Sequence, residues 1–170
     1  MATANISAAR LRELLYYNPE TGVFTWRFSR KGRKGVAGSQ AGTQHRKGYR
    51  YITLDRLRES EHRLAWLYVH GMLPCSEVDH INGKRDDNRL ANLRVVDPTT
   101  NRENLHAAKT QNKSSGFLGV SRCLAKKDLR FKARITVKGK EILLGRFDTA
   151  EEAHAAYLEA KRVHHPGCTI

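Results

Sequence analysis

Four polar side chains near the middle of the chain have types and spacings that could serve one reaction. Asp79 and His80 are adjacent, and Asn92 follows twelve residues after the histidine. Asn101 lies nine residues beyond Asn92. Hydrolysis of a phosphodiester needs a divalent cation with oxygen ligands, which the Asp79 carboxylate and the Asn101 amide can supply. It also needs a base, so we expect His80 to activate water while Asn92 orients the imidazole through its side-chain or backbone carbonyl.

The elements around these residues predict a β-hairpin that is followed by a helix. Residues 78–83 are typical of a strand entering a turn, and residues 88–96 of a second strand that returns. Asp97 is a suitable helix N-cap, and Pro98 suits the first helical position. Successive strand residues point to opposite faces, so the adjacent carboxylate and imidazole require a bend or twist of the first strand.

The pattern resembles the HNH motif in its ββα-metal fold. Over roughly residues 18–108 the sequence is similar to phage HNH homing endonucleases. The similarity is carried by the runs His62-Arg63-Leu64-Ala65-Trp66, Val78-Asp79-His80-Ile81-Asn82-Gly83, Asp87-Asn88-Arg89 and Asn92-Leu93-Arg94. The resemblance implies that His80 is the catalytic base and that Asn92 positions it.

The resemblance also implies a metal site for Mg²⁺ or Mn²⁺ with Asp79 and Asn101 as ligands. Asn104 is the alternative ligand, because it lies three residues beyond Asn101 on nearly the same helix face. The family often has a second histidine at this place. An asparagine there fits the intron-type members that nick one strand.

The charge of the chain predicts a polyanionic partner. Lys and Arg number 31 and Asp and Glu 17, which gives a net charge of +14. Residues 1–104 and residues 105–170 each carry +7, so the contact surface is expected to be long. Contacts of basic side chains with phosphates release counterions, which favours nucleic acid, and we expect double-stranded DNA.

A basic loop at residues 29–48 is the first predicted DNA contact. No acidic residue occurs between Thr21 and Leu54. This favours a loop that follows the DNA backbone over an ordinary solvated loop. The contact residues predicted in this region are Arg27, Arg30, Lys31, Arg33, Lys34, Arg46, Lys47 and Arg50.

Short helices and strands surround this loop in the sequence. Residues 7–15 are typical of a helix that Ser7 caps. Strands are expected at residues 23–28 and 48–54, after a turn at residues 18–22. A second helix is expected at residues 62–70, with Gly71 as its C-cap.

The C-terminal part predicts a small antiparallel sheet packed on one helix. Residues 130–137 alternate between apolar and mostly basic side chains, residues 138–140 form a turn, and residues 141–147 return. Thr149 and Glu152 form a capping box. The apolar stripe of the following helix consists of Ala153, Ala156, Tyr157 and Ala160.

This part resembles an AP2 DNA-binding domain. The similarity is carried by residues 117–120, 131–135 and 144–153, together with Ala156-Tyr157. A cationic sheet face suits the DNA major groove, although a basic sheet can also simply face solvent. The predicted DNA contacts here are Arg122, Arg130, Lys132, Arg134, Lys138 and Arg146.

The sequence therefore predicts an α+β protein that ends in this three-stranded sheet and helix. The expected parts are a small N-terminal α/β region at 1–60 that contacts DNA, a ββα-metal HNH unit at 61–108, a linker at 109–116 and an AP2-like domain at 117–170. The three cysteines form no close pair, which argues against disulfides and zinc sites. No apolar run approaches the roughly 20 residues of a membrane helix, so we expect a cytoplasmic protein, in a bacterial host if phage-encoded.

The predicted function is site-specific DNA cleavage without an obligate protein partner. One active site per chain means that a monomer should nick, while a homodimer could cut both strands. A DNA-binding regulator with an inactive nuclease centre stays open as an alternative. An RNA-binding protein is a third possibility, whose sign would be stacking aromatic residues; aromatics make up only 8% of the chain.

Overall fold

The computed structural model describes residues 6–29, 35–108, 112, 114–123 and 130–170. The chain divides into two compact units, a first unit of residues 1–97 and a second unit of residues 98–170. Each unit has its own hydrophobic core. The predicted α+β class with small antiparallel sheets is confirmed. The domain boundaries expected from the sequence stay a prediction.

The first unit combines helices with short antiparallel strands that pair as β1-β2, β3-β4-β5 and β6-β7. Its helices are α1 (Ala8–Leu14), α2 (Glu61–His70) and a 3₁₀ helix (Leu90–Asn92). Its strands are β1 (Leu15–Asn18), β2 (Val23–Trp26), β3 (Thr43–Gln44), β4 (Arg50–Leu54), β5 (Leu57–Ser60), β6 (Glu77–His80) and β7 (Leu93–Val96).

Two of these helices are capped by the residues that the sequence predicts, α1 at its start and α2 at its end. The Ser7 hydroxyl accepts a hydrogen bond from the Arg10 N–H at 3.1 Å and starts α1. Gly71 ends α2 with φ of 80°, a left-handed conformation that glycine adopts without strain. Both predictions from side-chain type are therefore confirmed.

Several short strands of the first unit were not predicted, and the strands predicted there are shorter in the structure. β1 follows α1 directly and alternates buried with less buried side chains, while its pairing with β2 stops at Trp26. The second strand of the candidate hairpin was expected to span residues 88–96, but only Leu93–Val96 is strand. The preceding residues form a loop and a 3₁₀ turn. The Leu90 N–H donates to the Pro19 carbonyl and the Asn92 N–H to the Arg89 carbonyl, so neither bonds to a neighbouring strand.

The second unit is a sheet packed on a helix, as predicted. It contains α3 (Pro98–Glu103), β8 (Val120–Arg122), β9 (Phe131–Val137), β10 (Lys140–Phe147) and α4 (Ala150–His164). The strands pair antiparallel in the order β10-β9-β8, and α4 contacts all of them. The capping box at the start of α4 is confirmed, with the Thr149 hydroxyl accepting from the Glu152 N–H at 3.2 Å.

Within the parts of the chain that the structure describes, none of the helices has both the length and the apolar character needed to cross a membrane.

Candidate active site

The β6–β7 hairpin holds the adjacent carboxylate and imidazole. β6 pairs antiparallel with β7, so Asp79 lies opposite Arg94 and His80 opposite Leu93. Asp79 is 7% exposed and His80 only 4%, so polar side chains on both faces of the strand end are buried. The strand ends at His80, whose carbonyl accepts from the Gly83 N–H at 2.9 Å where the chain turns.

The Asp79 carboxylate is neutralised by a neighbouring guanidinium. Arg94 donates from Nε at 3.0 Å and from Nη2 at 2.9 Å, both to Asp79 Oδ2. Both side chains are largely buried, so solvent screens this pair less than a surface pair. The contact holds the carboxylate in one orientation beside the imidazole.

His80 lies at one end of a buried hydrogen-bond chain. Its Nε2 is 3.1 Å from Oδ1 of Asn88, and Nδ2 of Asn88 donates to Oε2 of Glu61 at 3.2 Å. Glu61 in turn accepts from Nε of Arg50, and the Arg50 Nη2 donates to the Ala41 carbonyl at 3.0 Å. Asn88 and Glu61 are each 1% exposed. The chain thus links His80 to α2 and β4.

Two aromatic rings cover the imidazole. The His62 ring packs edge-on against the His80 ring with centroids 5.1 Å apart, and the Tyr49 ring lies 6.1 Å from His80. Burial lowers the pKa of His62 to about 3, so this ring is neutral at ordinary pH. Burial also lowers the pKa of His80, against the opposing effects of Asn88 and Asp79. His80 therefore enters the site as a neutral imidazole, the form that can accept a proton.

Asn92 closes the loop that joins the two strands. Its Oδ1 accepts from the Asn82 N–H at 3.0 Å, and its Nδ2 donates to Asn82 Oδ1 at 3.0 Å and to the Asp87 carbonyl at 2.8 Å. Its backbone carbonyl accepts from the Ile81 N–H, one residue beyond His80. These bonds hold the turn that follows the imidazole, and a direct role of Asn92 in orienting the ring stays a prediction.

The two candidate helix ligands belong to the second unit. Asn101 is half-buried on α3. Asn104 is 5% exposed, and its Oδ1 accepts from the Thr169 hydroxyl at 2.6 Å and lies 3.1 Å from His106 Nε2. The amide oxygen of Asn104 is therefore hydrogen-bonded within its own unit, and the choice between Asn101 and Asn104 as the metal ligand stays a prediction.

The predicted DNA-contacting residues differ in their exposure and in their contacts within the protein. Arg30, Lys31, Arg33 and Lys34 lie outside the described residues. The predicted residues that are exposed are Arg27, Arg46, Lys47, Arg122, Arg130, Arg134, Lys138 and Arg146, while Lys132 is half-buried. The Arg50 guanidinium donates hydrogen bonds to the Glu61 carboxylate and to the Ala41 carbonyl, so it stabilises the fold of the first unit.

Sequence reasoning missed the roles of Asn88, Glu61 and Arg50. Asn88 stood in one of the quoted motif runs without a function, and Glu61 stood just before another. Their importance comes from contacts between segments distant in sequence, 27 residues apart for the Asn88–Glu61 bond. The sequence shows Glu61 as an acidic residue at the start of a helix that continues with basic and apolar residues. This pattern does not reveal which residue Glu61 contacts.

Comparison with known proteins identifies the central segment. Residues 61–106 match the family model described as HNH endonuclease. No curated protein and no solved structure matches the chain. The matched segment contains His80, Asp79, Asn92 and Asn101. Nucleases with this domain typically use a divalent metal, and the described residues hold no cluster of three or more His, Cys, Asp or Glu side chains. Residues 61–106 are therefore an HNH endonuclease domain, which implies a phosphodiester-hydrolysing nuclease with DNA as its substrate.

Proposed function

We propose that this protein is a site-specific DNA endonuclease of the phage homing type that nicks one strand per monomer. The observation that carries the proposal is the His80 imidazole, buried and hydrogen-bonded at the end of the Glu61–Asn88 chain in the HNH domain. A base that is held in one orientation can accept a proton from water without first reorganising.

The metal in this proposal is Mg²⁺ or Mn²⁺. The sequence predicts Asp79 and Asn101 as its ligands, because a carboxylate and an amide oxygen are the hard donors that these cations take. When bound, the cation supplies positive charge that stabilises the phosphate and the leaving 3′-oxygen. Arg94 holds the Asp79 carboxylate in place, which prepares one of the two ligands.

DNA binding is assigned to basic side chains in both units. The exposed side chains of Arg27, Arg46 and Lys47 suit contacts with the phosphate backbone, which give affinity without sequence information. In the second unit, Arg134 and Lys138 are exposed along β9 and its turn, while Ala133 and Ile135 face the core. We assign this AP2-like sheet the reading of base sequence, and the three cysteines, all free thiols, suit a reducing cytoplasm.

One observation favours a second function, that of a DNA-binding regulator whose nuclease centre is inactive. The Arg94 guanidinium already neutralises Asp79 through two hydrogen bonds to a single oxygen. A cation that bound this carboxylate would be repelled by the guanidinium unless Arg94 moved toward the substrate. If Arg94 stays, the protein would bind DNA without cutting it.

Cleavage of supercoiled DNA separates these functions. Purified full-length protein is incubated with supercoiled phage or bacterial DNA in Mg²⁺, in Mn²⁺ and in EDTA, with duplex RNA as a competitor. We expect open-circle DNA that requires metal and that excess RNA does not suppress. Linear DNA would indicate paired active sites. Tight binding without cleavage in either metal would favour the regulator, and suppression by RNA would contradict DNA as the preferred ligand.

A further inference from the structure

We propose that Glu61 is a positioning residue, which acts through Asn88 to determine which nitrogen of His80 carries the proton. The inference rests on the proposed role of His80 as the base and names the groups that prepare it. It follows from the hydrogen-bonding capacities of Arg50, Glu61 and Asn88, together with the close packing that holds them.

The first step is the charge state of Glu61. Arg50 Nε lies 3.1 Å from Oε1 and 3.0 Å from Oε2 of this glutamate. Burial raises the pKa of Glu61, and the contacts with Arg50 and Asn88 oppose this effect. Because an arginine remains protonated and can only donate, its contact with both oxygens favours the ionised form, and we assign Glu61 as a carboxylate. The Glu61 side chain is 1% exposed, so Arg50 and Asn88 replace the hydrogen bonds that water would make.

The second step is the orientation of the Asn88 amide. A carboxylate accepts hydrogen bonds and cannot donate them, so the NH₂ group of Asn88 must face Glu61. The amide oxygen of Asn88 then faces the imidazole, 3.1 Å from His80 Nε2. An amide oxygen can only accept, so Nε2 of His80 must carry the proton. In the neutral ring the lone pair is therefore on Nδ1.

The third step is that Asn88 cannot easily move away. The Tyr17 hydroxyl donates to the Asn88 carbonyl at 2.7 Å in a buried position. A Cβ added to Gly22 would lie 2.5 Å from the Asn88 carbonyl carbon, so the β1–β2 turn presses directly on this backbone. The Leu90 N–H also donates to the Pro19 carbonyl at 3.0 Å. The N-terminal hairpin thus fixes the backbone from which the Asn88 side chain reaches His80.

Glu61 is held in the same way. A Cβ added to Gly42 would lie 2.1 Å from Glu61 Oε1, so only glycine allows the loop before β3 to lie against the carboxylate. The chain from Arg50 to His80 is therefore packed at both intermediate positions. The donors and acceptors of this chain therefore permit a single proton position on His80.

The test is the proton position itself, measured by nitrogen NMR on the full chain with ¹⁵N-labelled histidine. The shifts of Nδ1 and Nε2 distinguish the two neutral forms of a ring. In the wild type we expect the His80 proton on Nε2. A proton on Nδ1, or an equal mixture, would overturn the proposal without recourse to any variant.

The substitution Glu61→Gln tests whether Glu61 is the cause. Glutamine can present either an oxygen or an NH₂ group to Asn88, so the Asn88 amide can turn over and donate to His80. We expect a mixture of the two His80 forms and a single-turnover cleavage rate lower by about 10-fold to 100-fold, the usual loss when a group that orients a catalytic ligand is replaced. The control is Glu59→Gln, because Glu59 contacts Ser60 and Arg63 instead of this chain.

A second variant covers the case in which Glu61→Gln does not fold. Asn88→Ala removes the oxygen that faces His80, and the proposal expects the same mixture of His80 forms. If a folded variant of either kind keeps the proton on Nε2 as in the wild type, Glu61 does not position it. The NMR result is independent of cleavage, so a protein with the expected proton position that cuts no DNA would contradict the proposed function alone.

Discussion

Two arginine–glutamate pairs summarise how the two units differ. In the first unit Arg50 and Glu61 have side chains that are 18% and 1% exposed, and the pair continues through Asn88 to His80. In the second unit Arg134 and Glu141 make a contact of similar length, 2.8 Å, but are 42% and 59% exposed. The arginine–glutamate ion pair is therefore buried in the first unit and exposed on the surface in the second.

The cores differ correspondingly. Beside its apolar core, the first unit buries polar side chains at the candidate site, and each of them must be paired because burying an unsatisfied group costs free energy. The apolar core of the second unit consists of Val120, Ala133, Ile135, Ala150, Ala153 and Tyr157. This unit also buries the polar side chains of Asn104, Lys161 and His165, which are not part of the candidate site. A site that performs chemistry gains from polar groups that are fixed before the substrate arrives, whereas a binding face needs its charges outside.

The largest expected effect is on the buried pair. Arg50→Met leaves Glu61 as a buried carboxylate without its guanidinium, and breaking a buried pair in this way costs about 3–5 kcal/mol. Urea unfolding of the variant and the wild type at neutral pH measures the loss. A loss below about 1 kcal/mol would mean that Glu61 takes up a proton or reaches water at little cost.

Close packing in the second unit gives the next effect. A Cβ added to Gly119 would lie 2.0 Å from the buried ring of Tyr157, and φ is +74°. We expect Gly119→Ala to cost about 2–4 kcal/mol from overpacking and backbone strain together. Gly116→Ala is the matched control, since its φ is also +74° and nothing lies within 4 Å. Faster hydrogen exchange of β9 amides in the first variant alone would support this account, and equal exchange in both would argue against the clash.

The hydroxyl of Tyr17 gives a smaller effect that depends on pH. Tyr17→Phe leaves the buried Asn88 carbonyl without its donor, which costs about 1–3 kcal/mol. Burial raises the pKa of Tyr17 to about 12 from an ordinary value of 10.0. Because the folded protein resists ionisation, this contribution is complete below pH 10 and is lost as the pH rises toward 12.

The pH dependence is measured as a difference, because lysines titrate in the same range. The free energy of unfolding of the wild type should fall more steeply between pH 10 and 12 than that of Tyr17→Phe. Parallel curves for the two proteins would show that the hydroxyl ionises as readily in the folded state as in the unfolded one.

The smallest effect on stability is expected at the exposed pair. Arg134→Gln removes a surface ion pair, and such pairs contribute about 0–1 kcal/mol. If Arg134 contacts a phosphate, DNA affinity falls and the slope of log K against log salt becomes shallower by about one. Glu141→Gln is the control, because it breaks the same pair while leaving the cation. Unfolding and DNA titration of both variants separate the two roles, and an equal loss of DNA affinity in both would contradict a direct contact.

Local chemistry explains why much of the fold could be predicted from the sequence. Ser7, Gly71 and Thr149 act through neighbours only a few residues away, so their caps appear where side-chain type places them. The alternation of residues 131–137 likewise predicts β9, because a strand with one buried face repeats every second residue.

The hydrogen-bond chain behind His80 could not be predicted in this way. The contacts of Asn88 with Glu61 and Tyr17 join residues 27 and 71 positions apart, and no local pattern carries that information. Arg50 was interpreted as a DNA contact because no acidic residue occurs between Thr21 and Leu54. In the folded protein the Arg50 guanidinium pairs with the buried Glu61 carboxylate. This contact could not be inferred from the local composition.

The most direct test of the central claim is the single-turnover rate of DNA cleavage by His80→Ala in Mg²⁺, on the DNA that the wild type cuts. His70→Ala is the matched control, because His70 is exposed at the end of α2 and stacks on Trp66. The account predicts that loss of the His80 base slows cleavage by about 10²–10⁴-fold, while His70→Ala cuts at the wild-type rate. Cleavage by folded His80→Ala within a few-fold of the wild type would contradict it.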